Sequence, residues 1–149
     1  MHLNQTFKLR LIVTLWPIIK ICMPRQKKKS PKEILTEAIV DAMLDKKAKN
    51  PVIMDFLKLN SSVCDAFIVC HGTSRTQVEA IADGVISNVK SKTGLNPWHK
   101  EGLENAEWIL IDYADIIVHI FQESKRNFYN LEQLWADAEI AKVNPTPKK

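Results

Sequence analysis

The chain has 149 residues, of which 46% are hydrophobic, and a formal net charge of +4. This length suits one domain that buries roughly two-thirds of its unfolded surface. Residues 1–32 hold eight Lys and Arg and no acid, so residues 33–149 hold 13 Lys and Arg against 17 Asp and Glu, a net charge of −4. An acidic body repels phosphate, which disfavours direct, sequence-specific recognition of nucleic acid and favours a basic protein surface as partner.

The cysteine content indicates a reducing compartment. The sequence contains Cys22, Cys64 and Cys70, an odd number without the spacing of a disulfide framework. Free thiols are expected where disulfides are kept reduced.

The N-terminal segment reads as an extension of the fold. Residues 8–22, KLRLIVTLWPIIKIC, hold an apolar stretch of about ten residues, which is short for a membrane span and is interrupted by Pro17. No small-x-small cleavage pattern follows it. We therefore predict that residues 1–29 are disordered or lie upstream of a true start at Met23, which would reduce the net charge to +1; an organelle presequence or a secretion signal is the alternative. We expect one domain over residues 30–143 and a disordered tail over residues 144–149.

The first predicted helix begins after Ser30, with Pro31 at the first helical position and Glu33 three residues after the cap. This order is typical of a capping box. Apolar positions at helical spacing predict one buried face, formed by Leu35, Ala38, Ile39, Ala42 and Met43. We expect Asn50-Pro51 to end the helix.

Two strands and a second helix follow. Residues 52–59 form a strand candidate, and residues 66–70, AFIVC, form a continuous apolar run that suits a buried central strand. The next segment is strongly amphipathic and ends at Gly94, with Thr73 as the expected N-cap. A short strand near residues 97–100 comes next, so we predict a right-handed crossover with parallel pairing of the two flanking strands.

Residues 108–122, WILIDYADIIVHIFQ, are predicted to form the central element of the fold. Two apolar runs flank Asp112-Tyr113-Ala114-Asp115, which is typical of a β-hairpin with a tight turn. The second run is apolar on both faces apart from His119, so we expect it to lie between two layers.

The C-terminal part is predicted to be helical. After a helical turn at residues 124–127, Asn130 and Gln133 are expected to cap a last helix, whose inner face comprises Leu131, Leu134, Trp135 and Ala138. Together the elements predict an α/β fold with a mixed sheet of about five strands and helices on both faces.

Three groups of residues contain side chains that could carry chemistry. Gly72-Thr73-Ser74 precedes a helix, where backbone N–H groups can hold an anion, but helix capping by Thr73 explains it better. A carboxylate pair such as Asp112 and Asp115 can in principle bind a metal or act as acid and base, yet the spacing of these two suits hydrogen bonds within a turn. Cys64, Cys70 and His71 lack a fourth metal ligand, so we predict core thiols.

We accordingly predict no catalytic, cofactor-binding or metal-binding residue. His119, between apolar neighbours, is expected to be a hydrogen-bonded core residue rather than a base. The aromatic residues gather around the hairpin and the last helix, and we expect most of them in the core: Trp98, Trp108, Tyr113, Phe121, Phe128, Tyr129 and Trp135. Trp108 follows the acidic loop ENAE, so one edge of it is expected to be exposed as a contact for a basic protein.

An ordered series of motifs resembles the ribosomal silencing factor family, also called Iojap-like. The motifs are Cys64-Asp65, Gly72-Thr73-Ser74, Ile81-Ala82-Asp83, Glu101-Gly102, Glu107-Trp108, Asp112-Tyr113-Ala114-Asp115, Val118-His119-Ile120-Phe121 and Tyr129-Asn130-Leu131-Glu132-Gln133-Leu134-Trp135. The resemblance as a whole runs from about residue 33 to residue 138. The family usually has glycine where this chain has Ala114; if that position has φ > 0, alanine costs on the order of 1 kcal/mol.

The resemblance implies a nucleotidyltransferase-like fold without the transferase's catalytic carboxylates. It implies a cytosolic bacterial protein that binds the fourteenth protein of the large ribosomal subunit and blocks joining of the subunits when nutrients are scarce. By this analogy the binding face comprises Glu101, Trp108, Asp112, Tyr113, Asp115 and Tyr129. The resemblance is compatible with a homodimer. The alternative function is that of a metal-dependent nucleotidyl- or phosphoryl-transfer enzyme on the same fold.

Overall fold

The computed structural model describes residues 28–59 and 64–144. In chain order their elements are α1 (Pro31–Asp45), β1 (Lys49–Asp55), β2 (Ala66–Gly72), α2 (Arg75–Thr93), β3 (His99–Glu101), β4 (Trp108–Asp112), β5 (Ile116–Gln122), α3 (Glu123–Tyr129), α4 (Leu131–Leu134) and β6 (Glu139–Lys142). The predicted extension and tail lie outside the described residues except for Lys28, Lys29 and Asn144. The start at Met23 and the domain limits stay predictions.

The strands form one mixed sheet in the order β3-β4-β5-β2-β1-β6. β2 and β5 pair in parallel, and the other neighbours pair antiparallel. The α/β class and the mixed sheet are confirmed. The described part of the chain has six strands where we expected about five, because β6 forms from residues beyond the predicted last helix.

The hairpin of β4 and β5 is confirmed as the centre of the fold. β5 lies between β4 and β2, and Ile116, Val118, Ile120 and Phe121 are all at most 1% exposed. Because alternate residues of β5 join two different core clusters, this strand is covered on both faces.

The predicted pairing of β2 with β3 is wrong. β3 pairs with β4 at the edge of the sheet, and β4 and β5 lie between it and β2. The physical reason is burial: all three residues of β3 are exposed, whereas the place beside β2 is buried on both faces and requires an apolar strand such as β5.

One face of the sheet is covered by α1 and α2, which pack against each other. The capping box at Ser30 is confirmed, with Glu33 N–H donating to Ser30 Oγ at 3.2 Å, and all five residues of the predicted α1 stripe are buried. The N-cap of α2 is Ser74, which accepts from Gln77 N–H, and not Thr73 as predicted. α2 ends at the left-handed Gly94 as expected.

The predicted end of α1 at Asn50-Pro51 is also wrong. α1 ends at Asp45, and Lys47 follows with φ of 58°. β1 then runs through Asn50 and Pro51 with an irregularity in its pairing to β2 between Lys49 and Val52. Proline is compatible with a strand at such an irregular position, so here it marks a bulge and not a helix stop.

The second face of the sheet is covered by the C-terminal segment. Leu131, Trp135 and Ala138 pack with residues of β1, β2 and β5 as predicted. However, α4 ends at Leu134, whose side chain is 72% exposed and not on an inner face. Helices therefore lie on both faces of the sheet, but those on the second face are short.

Candidate functional site

The second face of the sheet is incompletely covered at β3 and β4. Side chains alternate along a strand, so Trp108, Leu110 and Asp112 of β4 point to this face, and Glu101 of β3 lies opposite Leu110. Leu110 and Asp112 are partly exposed and Glu101 is exposed. Tyr129, at the end of α3, packs on Trp108 from the same side. We call the surface formed by Glu101, Trp108, Leu110, Asp112 and Tyr129 the open face.

Trp108 is the centre of an aromatic cluster beneath the open face. Its ring stacks on Phe121 with centroids 4.9 Å apart, and it contacts Tyr129 at 4.9 Å with a tilted geometry. Trp108 is half-buried and Tyr129 is 46% exposed. The expectation that one edge of Trp108 is exposed is therefore confirmed.

His119 lies below this cluster and is 4% exposed. Trp108 Nε1–H donates to His119 Nδ1 at 3.1 Å, and Phe67 contacts the imidazole edge to face at 4.6 Å. Burial lowers the pKa of His119 to about 4, because transfer of a charged imidazole out of water is unfavourable. The prediction of a hydrogen-bonded core histidine is confirmed.

The position of Tyr129 depends on how α3 is held to the sheet. Arg126, 8% exposed, donates to Glu132 Oε1 through Nε and to the carbonyl of Asn50 through Nη1, at 3.0 and 2.8 Å. Its Nη1 also contacts His71 Nδ1 at 2.9 Å, and burial together with this guanidinium lowers the pKa of His71. The carbonyl of Asn50 is available because the chain is irregular there, so the bulge in β1 anchors α3.

The hairpin turn is flanked by two acidic residues, Asp112 and Asp115. Asp112 Oδ1 accepts from Ala114 N–H at 2.7 Å, which confirms that this carboxylate makes a turn hydrogen bond. Ala114 has φ of 69°, so the position does require the left-handed conformation that glycine adopts more easily. Asp115 is exposed in the same turn, and its carbonyl accepts from Asp65 N–H at 2.9 Å.

Tyr113 lies apart from the other residues that the resemblance suggested. Its side chain is 5% exposed and belongs to the core cluster between the sheet and the helices α1 and α2. Burial raises the pKa of Tyr113 to about 12. The structure therefore brings Glu101, Trp108, Asp112 and Tyr129 to one face with Asp115 at its end, and it places Tyr113 in the core.

The residues of the candidate metal and anion sites are buried or hydrogen-bonded within the fold. Cys64 and Cys70 are both buried, as predicted. His71 is in contact with a guanidinium, which is incompatible with a cation at the same nitrogen. Thr73 N–H donates to Gln77 Oε1 at 2.8 Å and is thus already paired. Over residues 28–59 and 64–144 no group of three or more His, Cys, Asp or Glu side chains is placed to hold a metal ion.

Two exposed aromatic residues were missed by the sequence reasoning. Trp98 is 83% exposed and Phe128 is 79% exposed, although we expected most aromatic residues in the core. Phe128 contacts Tyr129 edge to face at 5.1 Å, so it borders the open face. Adjacent aromatic residues on a short helix point in different directions, and this was the available signal that one of the pair is exposed.

Fold and site together define an α/β protein that presents an aromatic and acidic surface at one end of a mixed sheet. No helix within the described ranges is long and apolar enough to cross a membrane. The model of a family described as "Ribosomal silencing factor during starvation" matches residues 27–149. The chain belongs to the ribosomal silencing factor family.

Individual relatives agree with the family assignment. The ribosomal silencing factor of Halalkalibacterium halodurans is 42% identical over 109 residues, which are 73% of this chain and 92% of that protein. The factor from Bacillus subtilis is 39% identical over 100 residues, 67% of this chain and 83% of that protein. A crystal structure of a Chromobacterium violaceum protein is similar with a TM-score of 0.67 and 30% identity, over 80% of this chain and 98% of that chain. The likeness to nucleotidyltransferases stays a prediction.

Proposed function

We propose that this protein binds the large ribosomal subunit through its fourteenth protein and prevents joining of the small subunit by steric obstruction. One observation carries the proposal: in a chain of the ribosomal silencing factor family, the open face joins an accessible aromatic cluster to exposed carboxylates. Burying aromatic residues at the centre of an interface supplies most of the binding energy in many complexes. The carboxylates at its edge suit a basic protein surface.

The proposed contacts are Glu101, Trp108, Asp112, Asp115 and Tyr129. Tyr113 is left out, because a direct contact would require its side chain to leave the core. The net charge of −4 over residues 33–149 favours contact with the protein component of the subunit over its RNA, since acidic groups are repelled by phosphate.

Obstruction requires binding alone and no chemical step. An occupancy of about 90% is reached when the free concentration of the factor is about ten times its dissociation constant. This concentration raises the chemical potential of the factor by about 1.4 kcal/mol above its value at half occupancy. Such a role places the protein in the cytoplasm and needs no cofactor. It represses translation when nutrients are limiting, in agreement with the family's description.

The test is cosedimentation with purified large subunits, followed by addition of small subunits and separation on a gradient. We expect the protein to move with the large subunit, to reduce the amount of joined ribosomes, and to bind more weakly as salt is raised. Trp108→Ala combined with Asp115→Lys should abolish both effects. Asp83→Lys, which makes the same charge change at an exposed position of α2, should leave them intact.

Unchanged binding by the double variant would show that the site is wrong, and absence of any binding by the natural sequence would refute the function. Calorimetry with ATP and Mg²⁺ tests the enzymatic alternative, and a heat of binding would support it. Light scattering on the same preparation measures whether the protein is a homodimer.

A further inference from the structure

His119 lies beneath the indole of Trp108 and holds it through a hydrogen bond. The indole has one polar atom, Nε1, and it donates to His119 Nδ1 at 3.1 Å. His119 is 4% exposed, so water is largely excluded from this hydrogen bond. Phe121 stacks on the same indole and Tyr129 contacts it from α3.

The geometry fixes the chemical form of the imidazole. An indole N–H can only donate a hydrogen bond, so Nδ1 of His119 must be the acceptor and the imidazole must be neutral. The proton then resides on Nε2, and within the described part of the chain this buried atom has no hydrogen-bond partner. The imidazole therefore leaves one buried N–H donor unpaired while it provides one hydrogen-bond acceptor for Trp108.

An apolar side chain would fill the same volume without an unpaired donor. The surroundings are aromatic: Phe67 at 4.6 Å and Phe121 at 6.3 Å between ring centroids. Packing alone thus gives no reason for an imidazole here, because a buried unpaired N–H is unfavourable. The hydrogen bond to Trp108 is the interaction that distinguishes histidine from leucine at this position.

We propose that His119 is a positioning residue for partner binding, which fixes the indole of Trp108 in the orientation that the open face presents. The inference rests on the proposed function and adds to it a residue that itself stays buried. A half-buried tryptophan can rotate about two side-chain torsions. Stacking on Phe121 restricts the ring plane, and the hydrogen bond to His119 determines which edge of the ring points inward. Preorganisation of this kind reduces the entropy lost on binding.

The experiment compares His119→Asn with His119→Leu. Asn Oδ1 is bonded to Cγ, as Nδ1 is in histidine, so asparagine keeps an acceptor for the indole, whereas leucine removes it. Affinity for purified large subunits and the Trp108 indole N–H signal in a ¹H–¹⁵N spectrum, assigned with Trp108→Phe, are measured for each variant. Phe67→Leu serves as control, because it disturbs the packing of the imidazole and leaves the hydrogen bond in place.

Stability and binding should rank the two variants in opposite order. We expect His119→Leu to fold at least as stably as His119→Asn, which buries additional amide donors. His119→Leu should nevertheless bind roughly five- to tenfold more weakly than the natural sequence, the effect of losing one hydrogen bond, with an upfield and rapidly exchanging indole N–H. His119→Asn should stay within about threefold of the natural affinity.

A double-variant measurement separates positioning from packing. In a Trp108→Phe background, which has no N–H to place, His119→Leu should weaken binding no further. If His119→Leu loses the indole signal but binds as well as the natural sequence, the positioning role is refuted while the proposed function stands. If the natural sequence itself fails to bind large subunits, the proposed function is refuted, and with it the role of His119 in binding.

Discussion

Acidification should destabilise this fold through His119. Protonation of Nδ1 would remove the acceptor of the Trp108 hydrogen bond and place a positive charge among aromatic rings. The folded protein therefore opposes protonation, and the pKa of His119 is lowered from 6.5 to about 4. The unfolded chain has no such constraint, so it binds more protons than the folded chain between these two pKa values.

The sign and size of the effect follow from linkage. The contribution of His119 to the free energy of unfolding is complete above pH 6.5 and is lost as the pH falls towards 4. Each unit by which the pH falls within this interval lowers the free energy of unfolding by about 1.4 kcal/mol. Between about pH 7 and about pH 4.5 the loss is therefore about 2.5 kcal/mol, a large part of the stability of a domain of this size.

Urea unfolding followed by far-UV circular dichroism measures this loss at both pH values and constant ionic strength. His119→Leu has no proton to bind, so its free energy of unfolding should fall by about 2.5 kcal/mol less than that of the natural sequence over the same interval. His71, whose pKa is also lowered, is present in both proteins and cancels in the comparison. Equal losses in the two proteins would show that His119 is not held neutral by the fold.

Two further predictions concern residues with positive φ. Ala114→Gly should raise the free energy of unfolding by up to about 1 kcal/mol, because Ala114 is exposed with φ of 69°. Ala106→Gly should not raise it, because Ala106, at φ of 49°, has a fully buried methyl group whose packing would be lost. Thermal unfolding of the two variants compares these effects. Gly102→Ala should lower stability by well over 1 kcal/mol, because a Cβ there would lie 1.9 Å from the carbonyl oxygen of Trp108. Gly94→Ala, with a similar φ and open space around its Cβ, should cost only about 1 kcal/mol; equal losses at the two glycines would contradict the steric argument.

The parts of the fold that were predicted correctly are those coded by neighbouring residues. The capping box of α1 and the Gly94 cap of α2 depend on side chains within a few positions of each other. The hairpin is coded by two apolar runs and a short turn. β6 was missed because all four of its residues are exposed, so no apolar pattern marks it as a strand. The place of β3 at the sheet edge depends on competition with β5, which no local pattern records.

The residues proposed for the site come from the family resemblance, and the structure adds the face of the sheet on which each of them lies. Period-two alternation along β4 places Trp108 and Asp112 on one face and Ile109 and Ile111 on the other. Which of these faces receives the two long helices depends on the packing of α1 and α2, which are distant in sequence. Tyr113 was assigned to the binding face by analogy with the family, whereas the structure places it in the core on the side of the two long helices.

The unequal cover of the sheet explains why the binding surface lies where we propose it. Six strands at about 4.8 Å spacing span roughly 24 Å, and a helix about 10 Å wide covers about two strands. On the first face two long helices side by side cover most of this width. On the second face the four-residue α4 and the segment after it lie over β1 and β2, and the short α3 packs on β5 and β2, which leaves β3 and β4 without a long helix over them. Trp108 of β4 and Tyr129 of α3 cover His119 and Phe121 of β5 from this side, so the residues that close the core are also the ones that we propose a partner contacts.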